Sequence, residues 1–224
     1  MSGAARDALP MIKPWIFELF GSLVRGGDAT AAETADHYRW HLELWRRAEA
    51  LGFEGIFFSE HHFGLGFSPS PNLLIAHMAA VTKTLRLGVM GVVLPYYEPW
   101  RVAEEIGMLD HLTGGRLEIG TASGIPQEMA QIGMSVEEAN ERNVEIVAIL
   151  DKALLDPVIT HRGKYWKIDG LRIAPRVLQN PPPRWTTVVS IESARKAARR
   201  GSKLCTGFHP IDRIAAIFDA YREE

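Results

Sequence analysis

The sequence predicts an α/β fold built on a parallel sheet. Short apolar runs alternate with longer segments of helical periodicity, and this strand-then-helix alternation occurs six times along the 224 residues. Such alternation is typical of parallel strands joined by right-handed crossover helices. Two architectures contain that unit, the doubly wound open sheet and the (β/α)8 barrel. The first strand-to-helix turn contains Gly21 and then Gly26-Gly27. This does not match the G-x-G-x-x-G turn common in open sheets, so we expect the barrel.

The bounds of each element follow from local patterns. Apolar residues recur every three or four positions in the first helix, which ends at Gly52: Tyr38, Leu42, Trp45, Ala48 and Leu51. Proline suits a first helical turn, so Pro99 begins the third helix, and Ser135 with Glu138 forms a capping box that begins the fourth. The predicted strands are 15–20, 54–58, 85–93, 116–121, 185–189 and 203–206, and the later helices are 72–82, 99–113, 135–155, 192–200 and 210–223.

Residues 156–184 interrupt the alternation. Two β-like runs, 158–160 and 165–168, predict a small hairpin, and a proline-rich connector follows it. We interpret this segment as an excursion from a single barrel domain that comprises residues 1–224. A barrel of this type closes with eight units and typically has about 250 residues, whereas six units are counted here. The expected barrel is therefore truncated or incomplete after its sixth unit.

Composition limits the partners and the compartment. Hydrophobic residues make up 46% of the chain and charged residues 23%, as in an ordinary soluble globular domain. The formal net charge of -2 comes without a basic stripe, so nucleic acid is not expected as a partner. No apolar run approaches the roughly 18 residues of a membrane span. The single cysteine, Cys205, cannot form an internal disulfide and no signal peptide is recognised, so we expect a cytoplasmic protein.

Three titratable side chains, Glu60, His61 and His62, follow directly after the apolar run 55–58. The loops after the strands of a barrel meet at one mouth, where catalytic residues lie. Imidazole exchanges protons near neutral pH, so these residues are candidates for acid–base catalysis. Two alternatives remain open. The histidines can be loop and packing residues, or they can bind the metal of a barrel hydrolase, although no Cys-x-x-Cys or His-Glu-x-x-His spacing supports a metal.

Glycines and serines mark further candidate positions. Gly88 and Gly91 interrupt the third strand, where glycine indicates either a tight bend or a close approach to a ligand such as a flat cofactor ring. Ser123 lies in the Gly-Thr-Ala-Ser-Gly segment after the fourth strand, and Ser190 and Ser193 begin the helix after the fifth barrel strand. These hydroxyls are either phosphate ligands or simple helix caps.

Together, four segments resemble the bacterial luciferase-like flavin-dependent monooxygenases, in the family's order over about residues 13–222. They are Phe-Phe-Ser-Glu-His-His-Phe at 57–63, Leu-Pro at 94–95 leading into Pro-Trp-Arg-Val-Ala-Glu-Glu at 99–105, Leu-Asp-His-Leu-Thr-Gly-Gly-Arg-Leu at 109–117, and Glu-Ser-Ala-Arg-Lys-Ala-Ala at 192–198. The first and third rarely occur together elsewhere. The family fold is a (β/α)8 barrel, in agreement with the alternation.

The resemblance implies reduced FMN at the barrel mouth, supplied by a separate NAD(P)H flavin reductase. Dioxygen is then the cosubstrate, and oxygen is inserted into a small organic substrate. His61 is similar to the family's catalytic histidine, with Glu60 and His62 flanking it. Met90 and Gly91 are similar to a pair joined by a non-proline cis peptide beside the flavin ring.

The same resemblance implies a phosphate site and bears on the choice between FMN and F420. Ser190 and Ser193 match hydroxyls that contact the FMN phosphate. Ser123 stands where luciferase has an arginine, and without that bidentate partner the deazaflavin F420 is an alternative to FMN. Ala122 stands at luciferase's reactive cysteine, while Cys205 lies elsewhere, so no thiol chemistry is expected.

Two further expectations concern assembly and substrate. The family suggests a homodimer packed through early helices, and a flavin-binding protein without turnover is the rival to an enzyme. Five aromatic residues placed near the mouth indicate either an apolar or aromatic substrate or ordinary packing: Phe63, Phe67, Tyr96, Tyr97 and Trp100.

Overall fold

A computed structural model describes residues 12–21, 28–64 and 66–224. The strands of this part of the chain are β1 Trp15–Glu18, β2 Gly55–Phe58, β3 Arg86–Val93, β4 Leu117–Ala122, β5 Val158–Arg162, β6 Lys167–Arg172, β7 Arg184–Thr187 and β8 Lys203–Cys205. Its helices are α1 Ala31–Arg47, α2 Pro71–Val81, α3 Pro99–Thr113, α4 Pro126–Gln131, α5 Val136–Leu155, α6 Ile191–Arg199 and α7 Ile211–Glu223, and a 3-10 turn covers Leu94–Tyr96.

Six strands form one parallel sheet in the order β1-β2-β3-β4-β7-β8. A helix follows each of them, so the six predicted units and their parallel pairing are confirmed. Two helices have clear boundary signals in their sequence. Thr30 forms a capping box with Glu33 at the start of α1, and Gly114 ends α3 in the left-handed conformation with φ of 62°.

The sheet is strongly curved. The rings of Trp15 on β1 and Trp185 on β7 lie 6.3 Å apart, although three strands separate β1 from β7. A flat sheet would place those strands about 19 Å apart, since neighbouring strands are spaced at about 4.8 Å. The fold is therefore a half-barrel of the predicted (β/α)8 type. Within the described residues β1 and β8 are its two edge strands.

Residues on the convex face of the sheet build the main core with the helices. Alternate residues of β2, β3 and β4 point outward because side chains alternate along a strand. They are all buried against helix residues such as Trp45, Met78 and Ile149: Ile56, Phe58, Leu87, Val89, Leu117 and Ile119. A smaller apolar cluster packs α6 and α7 on β7 and β8.

The concave face carries a layer of aromatic rings, the aromatic floor, formed by Trp15, Phe57 and Trp185. Trp15 and Phe57 stack with centroids 4.8 Å apart, and Trp185 meets Phe57 edge-on at 5.2 Å. Buried Glu118 accepts a hydrogen bond from Trp185 Nε1 at 2.6 Å and pairs with Arg86. The ring of Trp185 is therefore held in a fixed orientation.

The predicted excursion is a separate antiparallel hairpin, β5–β6. Its turn is fastened to α5 by Glu145, whose carboxylate accepts hydrogen bonds from the backbone N–H groups of Lys164, Tyr165 and Trp166 over 2.9–3.1 Å. The ring of His161 contacts the same carboxylate at 3.1 Å. Glu145 thus fastens the hairpin, which is separate from the six-stranded sheet, to α5.

Several local predictions differ from the structure. The first helix ends at Arg47 and not at Gly52, and the strand predicted at 185–189 ends at Thr187. The first strand ends at Glu18, not at residue 20, because Phe20 adopts φ of 43°, which is incompatible with an extended strand. At the start of α5, Ser135 accepts from the backbone of Glu138 as predicted, but the Glu138 carboxylate pairs with Arg142 four residues later. The capping box is therefore only half formed.

Candidate active site

The carboxyl ends of β2, β3, β4 and β7 surround a cleft of about 430 Å³, which we term the mouth cleft. This volume lies in the range of small-molecule sites. The residues that line it are Phe17, Ser59, Glu60, His61, Met90, Gly91, Val93, Ala122, Ser123, Gly124, Ile125, Glu128, Thr187 and Val189. Five of the predicted site residues are thereby brought together: Glu60, His61, Met90, Gly91 and Ser123.

Glu60 and His62 form a buried pair at the wall of the cleft. His62 Nε2 donates to Glu60 Oε1 over 3.0 Å, and the backbone N–H of Val93 donates to Glu60 Oε2 over 3.2 Å. Burial raises the pKa of the Glu60 carboxyl, and the hydrogen bond to Glu60 raises the pKa of the His62 imidazole. Both shifts favour retention of a proton within the pair. His62 itself does not line the cleft.

His61 points the other way, into the cleft. Its Nδ1 lies 3.0 Å from Oε1 of Glu128, a carboxylate that is only 1% exposed, while the His61 side chain is 29% exposed. The backbone N–H of His62 donates to the same Glu128 oxygen over 3.0 Å. The two adjacent histidines are thus paired with two different carboxylates.

Glu128 is a site residue that the sequence analysis missed. It lies on α4, a helix of six residues that is too short for a periodic apolar pattern to reveal. The available signal was Pro126, which occupies the first turn of α4, two residues after Gly124 with its left-handed φ of 89°. A glycine turn followed by such a proline after a barrel strand indicates a helix start at the mouth.

The peptide bond between Met90 and Gly91 is cis, as the resemblance implied. Both residues line the mouth cleft, and the β3–β4 pairing shifts register between Val89 and Val92. A Cβ on Gly91 would lie 2.6 Å from the carbonyl carbon of Thr121 on β4. Contact with the neighbouring strand therefore accounts for glycine here, and the peptide still forms part of the cleft wall.

Ser190 and Ser193 do not line the cleft. They form a reciprocal capping box at the start of α6, in which Ser190 Oγ accepts from the Ser193 backbone and Ser193 Oγ accepts from the Ser190 backbone. Val189, immediately before them, is a cleft residue. The amino end of α6 is therefore at the rim, but its two hydroxyls already satisfy one another.

The aromatic residues predicted at the mouth lie around the cleft, not in its lining. Phe67 packs against Phe20 with centroids 6.1 Å apart, and Phe63 is about half exposed. Tyr96 lies edge-on to His62 at 5.4 Å, and its hydroxyl is buried without a hydrogen-bond partner in the described part of the chain. Burial raises the pKa of both Tyr96 and Tyr97.

Neither a metal cluster nor a membrane-spanning helix occurs in the described ranges. No group of three or more His, Cys, Asp or Glu side chains there is arranged to hold a metal ion. No described helix is long and apolar enough to cross a membrane.

Comparison with known proteins agrees with this geometry. The chain is 33% identical over 218 residues to the oxygenase component of a flavin-dependent trigonelline monooxygenase from Acinetobacter baylyi, covering 93% of this chain and 60% of that protein. Monooxygenase RslO1 from Streptomyces bottropensis superposes with a TM-score of 0.84 at 25% identity, covering 95% of this chain and 65% of that one.

A third protein, the FMN-bound oxygenating constituent of 3,6-diketocamphane monooxygenase from Pseudomonas putida, has a TM-score of 0.75 at 24% identity and shows the fold alone; it covers 93% of this chain and 61% of that one. The chain thus spans less than two thirds of the length of each of these three proteins. A family model described as luciferase-like monooxygenase matches residues 17–224. The protein therefore belongs to the luciferase-like monooxygenase family.

Proposed function

We propose that this protein is the oxygenase component of a flavin-dependent monooxygenase, which uses reduced FMN and dioxygen to oxygenate a small apolar organic substrate. The observation that carries the proposal is the meeting of His61 with the Met90–Gly91 wall in one cleft at the strand ends. Family membership and relatives named as flavin-dependent monooxygenases support it.

The residues of the mouth cleft fit a flavin. Gly91 and Gly124 contribute no side chains to the lining, which favours a flat ring close to the backbone there. Tyr96 lies behind Gly124, outside the lining, and its buried hydroxyl has no partner among described residues, so it can accept or donate a hydrogen bond. For the phosphate, the amino end of α6 offers backbone N–H groups and a favourable dipole beside Val189.

Bound reduced flavin would supply the electrons that activate dioxygen. The protein's own residues would then bind, orient and move protons. His61, which lines the cleft, is placed to accept or return a proton. The Glu60–His62 pair would retain a proton beside it and anchor the loop that carries His61. Ser123, Ser190 and Ser193 remain the proposed phosphate hydroxyls.

The remaining parts of the proposal concern partners. A protein named as an oxygenase component works with a second component, so we include an NAD(P)H flavin reductase as the source of reduced FMN. A homodimer and a cytoplasmic location belong to the same proposal. No nucleic acid or membrane is assigned as a partner.

Two alternatives have a specific observation behind them. Neither lysine nor arginine occurs among the residues that line the mouth cleft. Because a basic side chain is the usual partner of a flavin phosphate, this favours comparison of FMN with the deazaflavin F420. The second alternative is a protein that binds a flavin but catalyses no reaction.

Flavin binding and turnover test the proposal directly. Purified protein is titrated with reduced FMN and reduced F420 under anaerobic conditions, and oxygen consumption is then measured with a panel of aldehydes, terpenes and sulfonates. We expect saturable FMN binding and substrate-dependent oxygen uptake. Both His61→Ala and the remote control His77→Ala on α2 should bind FMN, but only His61→Ala should lose turnover. Tighter binding of F420 than of FMN would assign F420 as the cofactor. Flavin binding without oxygen uptake in the presence of any substrate would favour the non-catalytic alternative.

A further inference from the structure

The two histidines of the mouth differ in which ring nitrogen is engaged. His62 uses Nε2, which donates to Glu60. His61 uses Nδ1, which contacts Glu128, and its ring lines the cleft. No contact of His61 Nε2 with another described residue occurs within hydrogen-bond distance. Nε2 is therefore the ring nitrogen of His61 that is available to a molecule bound in the cleft.

The position of the ring proton follows from what else contacts Oε1 of Glu128. The backbone N–H of His62 donates to this oxygen over 3.0 Å. A backbone N–H can only donate, and a carboxylate oxygen has no proton to give, so Oε1 accepts at both of its contacts. The second contact at the same oxygen, from His61 at 3.0 Å, is then a hydrogen bond donated by Nδ1–H. A neutral imidazole with its proton on Nδ1 carries a lone pair on Nε2.

The contacts around this pair restrict both partners. Glu128 is 1% exposed, so bulk water competes little for its acceptor oxygen. Its backbone N–H donates to Ile125 O over 3.1 Å within the turn that opens α4. On the other side, the backbone N–H of His61 donates to Ser68 O over 3.4 Å. The carboxylate thus bridges α4 and the loop after β2 from a fixed position.

We propose that Glu128 is a positioning residue that holds His61 as the Nδ1–H tautomer and so presents the Nε2 lone pair to the mouth cleft. The tautomer is a property of the protein without any ligand. Only the use of the lone pair as a proton acceptor rests on the proposed function. A fixed tautomer matters because a base with its proton on the wrong nitrogen cannot accept one from the bound molecule.

Nuclear magnetic resonance tests the tautomer directly. The flavin-free protein is labelled with 15N-histidine, and long-range 1H–15N correlations show which ring nitrogen carries the proton. The spectra are recorded at about pH 8.5, well above the ordinary histidine pKa of about 6.5. His61→Ala assigns the His61 signals by their disappearance among the eight histidines.

Three substitutions separate an acceptor from a space-filling side chain. Glu128→Gln keeps an acceptor oxygen and should retain the Nδ1–H tautomer. Glu128→Leu has similar volume without an acceptor and should give a mixture of both tautomers. Gln127→Leu makes the same new side chain at the exposed neighbouring position of α4 and should leave His61 unchanged.

The outcomes are decisive in each case. A wild-type His61 protonated on Nε2 would overturn the proposal, even if the leucine variant failed to fold. Retention of a pure Nδ1–H tautomer in a folded Glu128→Leu protein would also overturn it. Where turnover exists, Glu128→Leu should lower kcat at least about tenfold with little change in KM, and Glu128→Gln should recover part of it. An Nδ1–H tautomer that depends on Glu128, in a protein without turnover, would support the inference while the proposed function failed.

Discussion

Glu49, just beyond the end of α1, stabilises the fold through a carboxylate that accepts several hydrogen bonds. It receives them from the backbone N–H groups of Lys83 and Leu85, each over 2.9 Å, and from both the backbone N–H and the hydroxyl of Thr84. These donors lie in the turn that leads into β3, the strand that carries the cis peptide of the mouth cleft. Glu49→Gln removes the charge while it keeps the shape of the side chain.

The size of the effect follows from the pKa. Burial opposes ionisation of Glu49, but the hydrogen bonds from Thr84, Leu85 and Lys83 outweigh it and lower the pKa from 4.5 to about 2. This corresponds to at most about 3.4 kcal/mol of stabilisation of the folded state. Because the side chain is partly exposed and solvent screens the charge, we expect about 2 kcal/mol.

The pH dependence has a definite sign. A carboxylate with a lowered pKa in the folded state contributes its full stabilisation above the unfolded pKa of 4.5 and loses it as the pH falls toward 2. Urea unfolding followed by circular dichroism should therefore show the 2 kcal/mol difference between wild type and Glu49→Gln at pH 7, and a much smaller one near pH 3.

Glu43→Gln is the matched control, since its partner on the same helix is the exposed Arg46 and such pairs contribute little. It should cost far less stability at pH 7. If wild type and Glu49→Gln lose stability in parallel between pH 7 and pH 3, the reasoning about this carboxylate is refuted.

Three further predictions concern the site and the hairpin. Glu60→Gln removes the partner that raises the pKa of His62, so it should cost about 1 kcal/mol of stability at pH 6. The loss should fade as the pH rises and His62 of the wild type deprotonates. A pH-independent loss in urea titrations would contradict this. Gly91→Ala places a Cβ 2.6 Å from the backbone of β4 and should cost about 2 kcal/mol. Gly21→Ala, whose Cβ would have no described atom within 4 Å, should be neutral in the same urea assay. Glu145→Ala frees the β5–β6 turn and should speed tryptic cleavage there roughly tenfold, and an unchanged rate would show that other contacts hold the hairpin.

The fold was largely predictable because its signals are periodic. The six strand–helix units repeat the same apolar spacing, and Gly114 ends α3, although α1 ends at Arg47, before the predicted stop at Gly52. The candidate site was less predictable because its geometry depends on partners distant in sequence. Glu128 lies 67 residues from His61 along the chain, and nothing in its local pattern distinguishes it from a surface acid.

Ser190 and Ser193 illustrate a second limit of prediction from sequence. Ser190 and Ser193 have the same spacing whether they hold a phosphate or cap a helix, and the structure shows the cap. Glu118 illustrates a third, because an acid within the apolar run of β4 appears unfavourable until Arg86 and Trp185 are found beside it. Sequence spacing identifies which residues share a face, but not which neighbour satisfies a polar group.

The aromatic floor determines how molecules reach the mouth cleft. Cleft residues Phe17, Ser59 and Thr187 each follow a floor residue by two positions on the same strand, so the rings of Trp15, Phe57 and Trp185 lie directly beneath the cleft. Three packed rings thus lie on the amino-terminal side of the cleft, and one of them is held by its hydrogen bond to Glu118. These rings bound the cleft on that side, so we expect a ligand to enter and leave at the rim formed by the strand ends.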